Sequence, residues 1–200
     1  MKSILIDADG VVVKPRQKYF SERYSKEYEV PLDDIMPFFK KEYNRAVIGE
    51  ISIRKTLPRY FEKWGWEKSV DEFLRYWFES EQELNNQLLN VIDEYRQKGI
   101  PCYLVSDNEK ERARYIMENL GLKNYFDEAF FSFEMGMKKN NPDFFIEVVK
   151  EILDYAEEVI YWDDDPGNVT SAKEAGINAF VYQGYQDFME KMKNYEYTPY

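Results

Sequence analysis

Four short clusters of carboxylate, hydroxyl and amine side chains occur along the chain, each after a run of apolar residues or a glycine turn. The clusters are Asp7-Ala8-Asp9-Gly10, Ser106-Asp107-Asn108, Lys138-Lys139 and Asp163-Asp164-Asp165. Short apolar runs that end at turn residues are typical of buried strands. Ligands bind where the carboxyl ends of parallel strands meet, so we expect the four clusters to form one site.

The carboxylates of this expected site indicate a bound cation. Five aspartates, at positions 7, 9, 163, 164 and 165, would lie close together. Like charges at short range cannot all stay ionised without a counter-charge. The chain has no histidine, which excludes imidazole zinc sites and histidine-based triads, and Cys102 lies inside an apolar run. Only oxygen ligands remain, and they select a hard ion, for which Mg²⁺ is the best fit.

The other side chains of the expected site suit a phosphoryl group. A hydroxyl and a lysine beside a cation can contact its oxygens. A metal-neutralised carboxylate can attack phosphorus and form an aspartyl-phosphate. A second aspartate, crowded by like charges, can give a proton to the leaving alcohol and later take one from water.

Each cluster also has an ordinary structural interpretation. Asp9-Gly10 between apolar runs is typical of a hairpin turn, and Ser106 is a typical helix N-cap. Asp163-Asp164-Asp165 is typical of an acidic turn, and Lys138-Lys139 of a solvated surface pair. These interpretations do not explain why the clusters follow strands in an order that brings them together. We therefore favour the catalytic hypothesis.

The elements that must position these clusters fall into two parts. Residues from about 16 to 98 show helical periodicity, with a capping box at Ser69-Val70-Asp71-Glu72, and almost no strand signal. Beyond them, strands alternate with helices, which implies a parallel sheet with right-handed crossovers. We predict an α/β fold with a three-layer Rossmann-like core of residues 1–14 and 90–200. An all-helical cap of residues 15–89 is predicted to be inserted after the first strand.

The four clusters resemble, in order, the motifs of the haloacid dehalogenase superfamily, in its branch with a helical cap after the first strand. The matching segments are Asp7 to Val11, Leu104 to Asn108, Ser132 to Lys139 and Asp163 to Val169. Ala172 and Gly176 extend the fourth motif, and Gly49 to Ser52 resembles a turn common in this cap. The resemblance covers nearly the whole chain, and it includes a likeness to small sugar-phosphate phosphatases.

The resemblance implies a role for each cluster. It implies that Asp7 is the nucleophile and that Asp9 is the general acid and base. It implies that Lys139 bridges the nucleophile and the phosphate. The implied phosphate-binding residues are Ser106, Asp107, Asn108 and Lys139, and the implied Mg²⁺ ligands are Asp7, Asp9, Asp163 and Asp164.

The third motif departs from the family pattern. The family usually has Lys-Pro-Asp-Pro there, whereas this chain has Lys139-Asn140-Asn141-Pro142. The loop that holds the lysine therefore lacks one rigid residue. Lys138 also competes for the role, and spacing from Gly136 and Pro142 favours Lys139.

Composition limits the partners and the location. The formal net charge is −11 at pH 7, and such a surface repels nucleic acids and anionic lipids. The N-terminus lacks the apolar length of a signal peptide, and no segment reaches transmembrane length. We expect a cytoplasmic protein with a small phosphorylated metabolite as partner and no nucleic-acid or membrane partner. The sequence leaves the oligomeric state open.

The leading functional hypothesis is Mg²⁺-dependent hydrolysis of a small phosphate monoester, such as a sugar phosphate. A phosphosugar mutase would use the same core and return the phosphoryl group to the bound sugar. A non-catalytic protein of this fold would only bind a phosphorylated ligand. We expect Arg16 and Arg54 at the surface, and we expect the cap aromatics to form a core, including Phe38, Phe39, Trp64, Trp66 and Trp77.

Overall fold

A five-stranded parallel sheet forms the centre of the protein in the computed structural model, which describes residues 1–15 and 18–195. Its strands are β1 (Ser3–Asp7), β2 (Cys102–Ser106), β3 (Glu128–Phe131), β4 (Val159–Asp163) and β5 (Asn178–Val181). They lie in the order β3-β2-β1-β4-β5, and every neighbouring pair is parallel. The carboxyl ends of all five strands therefore lie along one edge of the sheet.

Helices follow the strands in two groups. Between β1 and β2 lie α1 (Phe20–Glu27), α2 (Leu32–Pro37), α3 (Asn44–Val47), α4 (Ile53–Thr56), α5 (Pro58–Trp64), α6 (Val70–Glu79) and α7 (Asn86–Gln97). Beyond β2 lie α8 (Lys110–Arg114), α9 (Ser132–Met135), α10 (Pro142–Glu151), α11 (Pro166–Glu174) and α12 (Tyr185–Met192). The π-helical segments Phe38–Tyr43 and Tyr115–Asn119 continue α2 and α8. Short 3₁₀ turns cover Leu122–Asn124, Ala156–Glu158 and Lys193–Tyr195.

The sheet is covered by helices on both faces because its central strand is apolar on both sides. Ile4 and Ile6 pack on one face with apolar residues of α7, α8 and α12. Leu5 packs on the other face with residues of α10 and α11. Cys102 is fully buried on the first face. The three layers confirm the predicted α/β fold class.

Helices α1 to α6 form an aromatic core of their own, and we refer to residues 20–79 as the cap. Tyr24, Trp64 and Phe73 lie at its centre and are fully buried. The Tyr24 hydroxyl donates to the Trp64 carbonyl at 2.9 Å, and the Trp64 indole donates to the Asp34 carbonyl at 3.0 Å, so these buried polar atoms are satisfied. The aromatics predicted to form a core are buried at Phe38, Trp64, Trp66 and Trp77, and Phe39 is half-buried.

Local sequence signals explain where several cap helices begin and change. Ser69 caps α6 by accepting from the Glu72 amide at 3.2 Å, and the Glu72 side chain accepts in return, as the capping box predicts. Pro58 occupies the first turn of α5, where its missing N–H costs nothing. Pro37 is the last residue of α2, and the helix continues beyond it as the π-helical segment Phe38–Tyr43.

The chain segments that enter and leave the cap are hydrogen-bonded to each other near the sheet, at residues 12–13 and 84–85. Val13 and Leu84 form an antiparallel bridge, and the Asn85 amide donates to the Val12 carbonyl at 2.8 Å. Helix α7 packs against the sheet through Leu88 and Leu89, so the expected boundary at residues 89 and 90 falls inside a helix of the sheet core. We propose that the core resumes near residue 84.

Side-chain bonds also hold the cap on the core. Arg54 of the cap donates to Glu111 at 3.0 Å and to Asp71 at 2.7 Å, so it joins the cap to α8 and remains about one-third exposed. The Ser132 hydroxyl donates to the Val47 carbonyl at 2.7 Å. Arg16 lies outside the described residues. No helix within residues 1–15 and 18–195 is long and apolar enough to cross a membrane.

Candidate active site

Three of the predicted clusters lie at the ends of adjacent strands. Asp7 is the last residue of β1, Ser106 of β2 and Asp163 of β4. Because β1 lies between β2 and β4, the three side chains come together at the carboxyl edge of the sheet. Each has at most 4% of its surface exposed.

The two adjacent lysines have different surroundings. The Lys139 ammonium donates to Asp7 and, at 2.7 Å, to Asp163, and its side chain is buried. The Lys138 ammonium donates to Asn44 of the cap at 2.6 Å. Burial alone would lower the pKa of Lys139, but the charges of Asp7 and Asp163 outweigh it and raise that pKa. Lys139 is therefore a charged group at the sheet edge.

Three carboxylates at this edge are placed to hold a metal ion. Asp7, Asp163 and Asp164 each offer an oxygen, and these oxygens all lie within 4.8 Å of one another. Burial raises the pKa of Asp7 although Lys139 opposes the shift, so one ammonium does not compensate the buried negative charge. All-oxygen donors with excess negative charge fit a hard divalent cation. Among the described residues, Asp9 is not in this group.

The carboxylates of Asp163 and Asp164 differ in the hydrogen bonds that they accept and in their exposure. Asp163 accepts from the Tyr161 hydroxyl, from the Asn168 amide at 3.1 Å and from the Asp165 backbone at 2.7 Å. The Asp164 carboxylate is exposed and lies against Gly10. A Cβ at residue 10 would lie 2.2 Å from an Asp164 oxygen, which is too close for any side chain. Gly10 also has φ +102°, a conformation that favours glycine, so glycine is what lets the Asp164 carboxylate lie against this turn.

Asp9 is held by two donors, one from the second motif and one from the helix after it. One Asp9 oxygen accepts from Arg112 at 2.8 Å, and the other accepts from the Asn108 amide at 2.9 Å. Arg112 therefore supplies an attractive charge beside Asp9, where the sequence had predicted only crowding by like charges. Both of these donors belong to the sheet core, so the core helps to position the Asp9 carboxylate.

The second motif adds two buried polar side chains and a carboxylate to the site. The Asn108 amide donates to the Ser106 hydroxyl at 2.8 Å, and both side chains are buried. Asp107, predicted to bind phosphate, accepts from the Lys139 backbone amide at 2.9 Å. Its carboxylate thus holds the loop that carries the lysine.

A cleft of about 410 Å³ opens from Asp9 between the core and the cap. Asn108 and Arg112 lie with Asp9 at its core end. The remaining wall comes from Tyr19, from helices α1, α2 and α6, from the π-helical segment after α2, and from Glu81 beyond α6. The cleft therefore joins the reacting groups to a surface that the cap provides.

Comparison with known families identifies the fold and its chemistry. A family model described as haloacid dehalogenase-like hydrolase matches residues 1–176. The chain is a haloacid dehalogenase-like hydrolase. The predicted resemblance is confirmed, and the four motifs lie within the matched residues.

Two characterised relatives of this haloacid dehalogenase-like hydrolase are phosphatases by name. The phosphorylated carbohydrates phosphatase of Thermotoga maritima is 23% identical over 186 residues, covering 88% of this chain and 82% of the relative. The D-ribitol-5-phosphate phosphatase of Bacteroides thetaiotaomicron is 22% identical over 203 residues, covering 96% of this chain and 97% of the relative.

Solved structures of the family share the whole fold. A haloacid dehalogenase family enzyme from Bacteroides thetaiotaomicron superposes with a TM-score of 0.82 at 20% identity, covering 96% of this chain and 98% of that one. Its complex with magnesium and inorganic phosphate superposes with a TM-score of 0.77 over the same shares. These likenesses show that the fold is shared over nearly the whole chain.

Three residues that bond the candidate site residues were missed in the sequence. Tyr161 and Asn168 bond Asp163, and Arg112 bonds Asp9. Arg112 lies in the first turn of α8, directly beyond the second motif, and this closeness to Asn108 in the sequence was the available signal. It could have been recognised only by knowing that residue 108 faces Asp9.

Proposed function

We propose that the protein is a Mg²⁺-dependent phosphatase that hydrolyses a small phosphate monoester through an aspartyl-phosphate on Asp7. The observation that carries this proposal is the position of Asp7. It is a buried carboxylate in contact with Lys139, with an oxygen within 4.8 Å of oxygens of Asp163 and Asp164. Such a site can hold a nucleophile, a cation and a phosphoryl group together.

The first half of the reaction transfers the phosphoryl group to the enzyme. An oxygen of Asp7 attacks phosphorus, and the bond from phosphorus to the ester oxygen breaks. Asp9 donates a proton to that oxygen, so the alcohol leaves neutral. Lys139 and the Ser106 hydroxyl contact the phosphoryl oxygens and stabilise their charge.

The second half returns the enzyme to its starting state. Water attacks phosphorus, Asp9 takes a proton from the water, and the bond from phosphorus to the Asp7 oxygen breaks. Inorganic phosphate leaves, and Asp9 is protonated again. Mg²⁺, held through the side chains of Asp7, Asp163 and Asp164, would supply positive charge to the phosphoryl oxygens.

Names of relatives support a phosphate monoester as the substrate. One is named for phosphorylated carbohydrates and the other for D-ribitol 5-phosphate. A phosphosugar mutase would instead convert a sugar phosphate into its isomer. Quantifying inorganic phosphate and isomer from the same reaction distinguishes the two activities.

Metal dependence is the direct test of the proposed function. We expect the protein to release phosphate from p-nitrophenyl phosphate when Mg²⁺ is present. Excess chelator should stop the release, and added Mg²⁺ should restore it. Ca²⁺ should restore little activity because it needs more oxygen ligands than this site offers. Undiminished turnover in chelator would contradict the metal assignment.

Arg112→Met tests whether Arg112 positions the acid. We expect kcat for an alkyl phosphate to fall about tenfold or more, because a poor leaving group needs the proton that Asp9 donates. Hydrolysis of p-nitrophenyl phosphate should fall much less, since its leaving group departs without a proton. Steady-state rates on both esters measure the difference.

Arg114→Met is the matched control, because Arg114 is exposed and bonds Glu111 rather than Asp9. It should leave both rates near the wild-type values. Equal losses on the two esters in Arg112→Met would show that Arg112 supports the fold alone.

A further inference from the structure

The helix that begins with α2 and continues as the π-helical segment has two apolar faces. Ile35 and Phe38 form one face and are fully buried in the cap core. The second face follows at spacings of four, three and four residues, which place side chains on one side of a helix. We refer to this second face as the stripe; it consists of Leu32, Met36, Phe39 and Tyr43. All four of its residues line the cleft.

The stripe borders the cleft along its whole length, and only Phe39 and Tyr43 also pack against the cap core. Within the described residues, Leu32 and Met36 belong to none of the three apolar clusters of the molecule. Leu32 is 40% exposed. Phe39 and Tyr43 contact each other with ring centroids 5.9 Å apart, and Trp77 lies behind them. An apolar surface left beside a cavity is stabilised when an apolar ligand covers it.

The cleft reaches the candidate site at Asp9 and Asn108. Asp9, the proposed acid, belongs to its lining, so an ester oxygen at Asp9 would have its carbon body inside the cleft. The volume of about 410 Å³ is near the lower end for ligand cavities, which suits a small leaving group. The body of that leaving group would lie along the stripe.

Charges around the cleft limit the leaving group further. The described lining carries three carboxylates, Asp9, Glu22 and Glu81, and one cation, Arg112. Arg112 already donates to Asp9 at 2.8 Å and to the Glu81 carbonyl at 2.7 Å. A charged group on the substrate would lose its hydration beside the apolar side chains of Leu32, Met36 and Phe39.

We propose, building on the phosphatase function above, that the preferred leaving alcohol is uncharged and has an apolar or aromatic body that covers the stripe. Leu32, Met36 and Phe39 carry no hydrogen-bonding group, so a polyol lying along them would lose water from its hydroxyls without replacing those hydrogen bonds. The wall thus selects against the polyol and for the apolar body.

Three phosphate esters of primary alcohols, with leaving groups of equal heavy-atom count, test the proposal: benzyl, n-heptyl and erythritol phosphate. We expect kcat/KM for benzyl and heptyl phosphate to exceed that for erythritol phosphate by about tenfold or more with the Mg²⁺-loaded protein. Phosphate release measures all three. The order of benzyl and heptyl phosphate reports whether a planar body is preferred.

Met36→Gln tests the wall directly, because Met36 is half-buried and packs in no core cluster of the described residues. The ratio of kcat/KM for benzyl phosphate to kcat/KM for erythritol phosphate should fall severalfold, mostly because KM for benzyl phosphate rises. Met36→Leu should keep the wild-type ratio, and so should Ile146→Gln, an equally polar change at a 39% exposed position on α10.

The outcomes separate this inference from the proposed function. Equal or better hydrolysis of erythritol phosphate would overturn the apolar leaving group and leave the phosphatase intact. An unchanged ratio in Met36→Gln would overturn the assignment to the stripe. No phosphate release from any ester, including p-nitrophenyl phosphate, would overturn the phosphatase itself.

Discussion

Asp7→Asn is expected to lower kcat for p-nitrophenyl phosphate by at least about 10³-fold. The amide keeps the size of the side chain and its place at the end of β1, but it cannot attack phosphorus as a carboxylate does. Intact-protein mass after acid quenching should show a phosphoryl group on the wild type during turnover. The variant should carry none.

Loss of the fold would not explain this result. Burial raises the pKa of Asp7, so replacing its carboxylate by a neutral amide removes an unfavourable buried charge. The variant should unfold at a denaturant concentration close to that of the wild type. Asp143→Asn, the same change at an exposed position in the first turn of α10, should keep full activity. Robust turnover by Asp7→Asn would place the nucleophile elsewhere.

Lys139→Met is expected to destabilise the metal-free protein by about 3–5 kcal/mol, because it leaves buried carboxylates without their cation. Lys139 is 2% exposed and contacts Asp7 and Asp163, which are equally buried. The variant should also lose nearly all activity, since the phosphoryl group loses its ammonium contact. Urea unfolding without metal measures the stability loss.

Added Mg²⁺ should recover part of the stability of Lys139→Met, because a divalent ion among Asp7, Asp163 and Asp164 replaces the missing positive charge. Lys138→Met is the matched control, since its ammonium bonds only Asn44 at the edge of the cap among the described contacts. It should change stability and activity little. Equal stability of the two variants without metal would show that Lys139 is not the counter-charge of the site.

The sheet edge was predictable because its signals are local. Each strand ends where an apolar run meets turn residues, and those residues carry the chemistry, as at Asp7 and Asp163. Parallel strands then bring their ends together whatever the details of packing. The capping box at Ser69 and the alternation of strands and helices were readable for the same reason.

The choice between the two lysines required the folded chain. Lys138 and Lys139 are adjacent, and although the spacing from Gly136 and Pro142 favours Lys139, neither periodicity nor charge excludes Lys138. The Asp107 carboxylate accepts from the Lys139 amide and turns the loop so that the Lys139 side chain enters the sheet edge. That bond spans 32 residues, and no local pattern reports it.

The sequence by itself determined the fold class, the order of the motifs and the carboxylate, hydroxyl and ammonium groups at one edge of the sheet. Tertiary structure alone decided that Arg112 and Asn108 hold Asp9, and that the stripe faces a cleft. The stripe is readable as an apolar helix face, but sequence cannot say whether such a face meets protein or open space. The reason is physical, because these properties depend on how the cap packs against the core, across contacts between residues far apart in the chain.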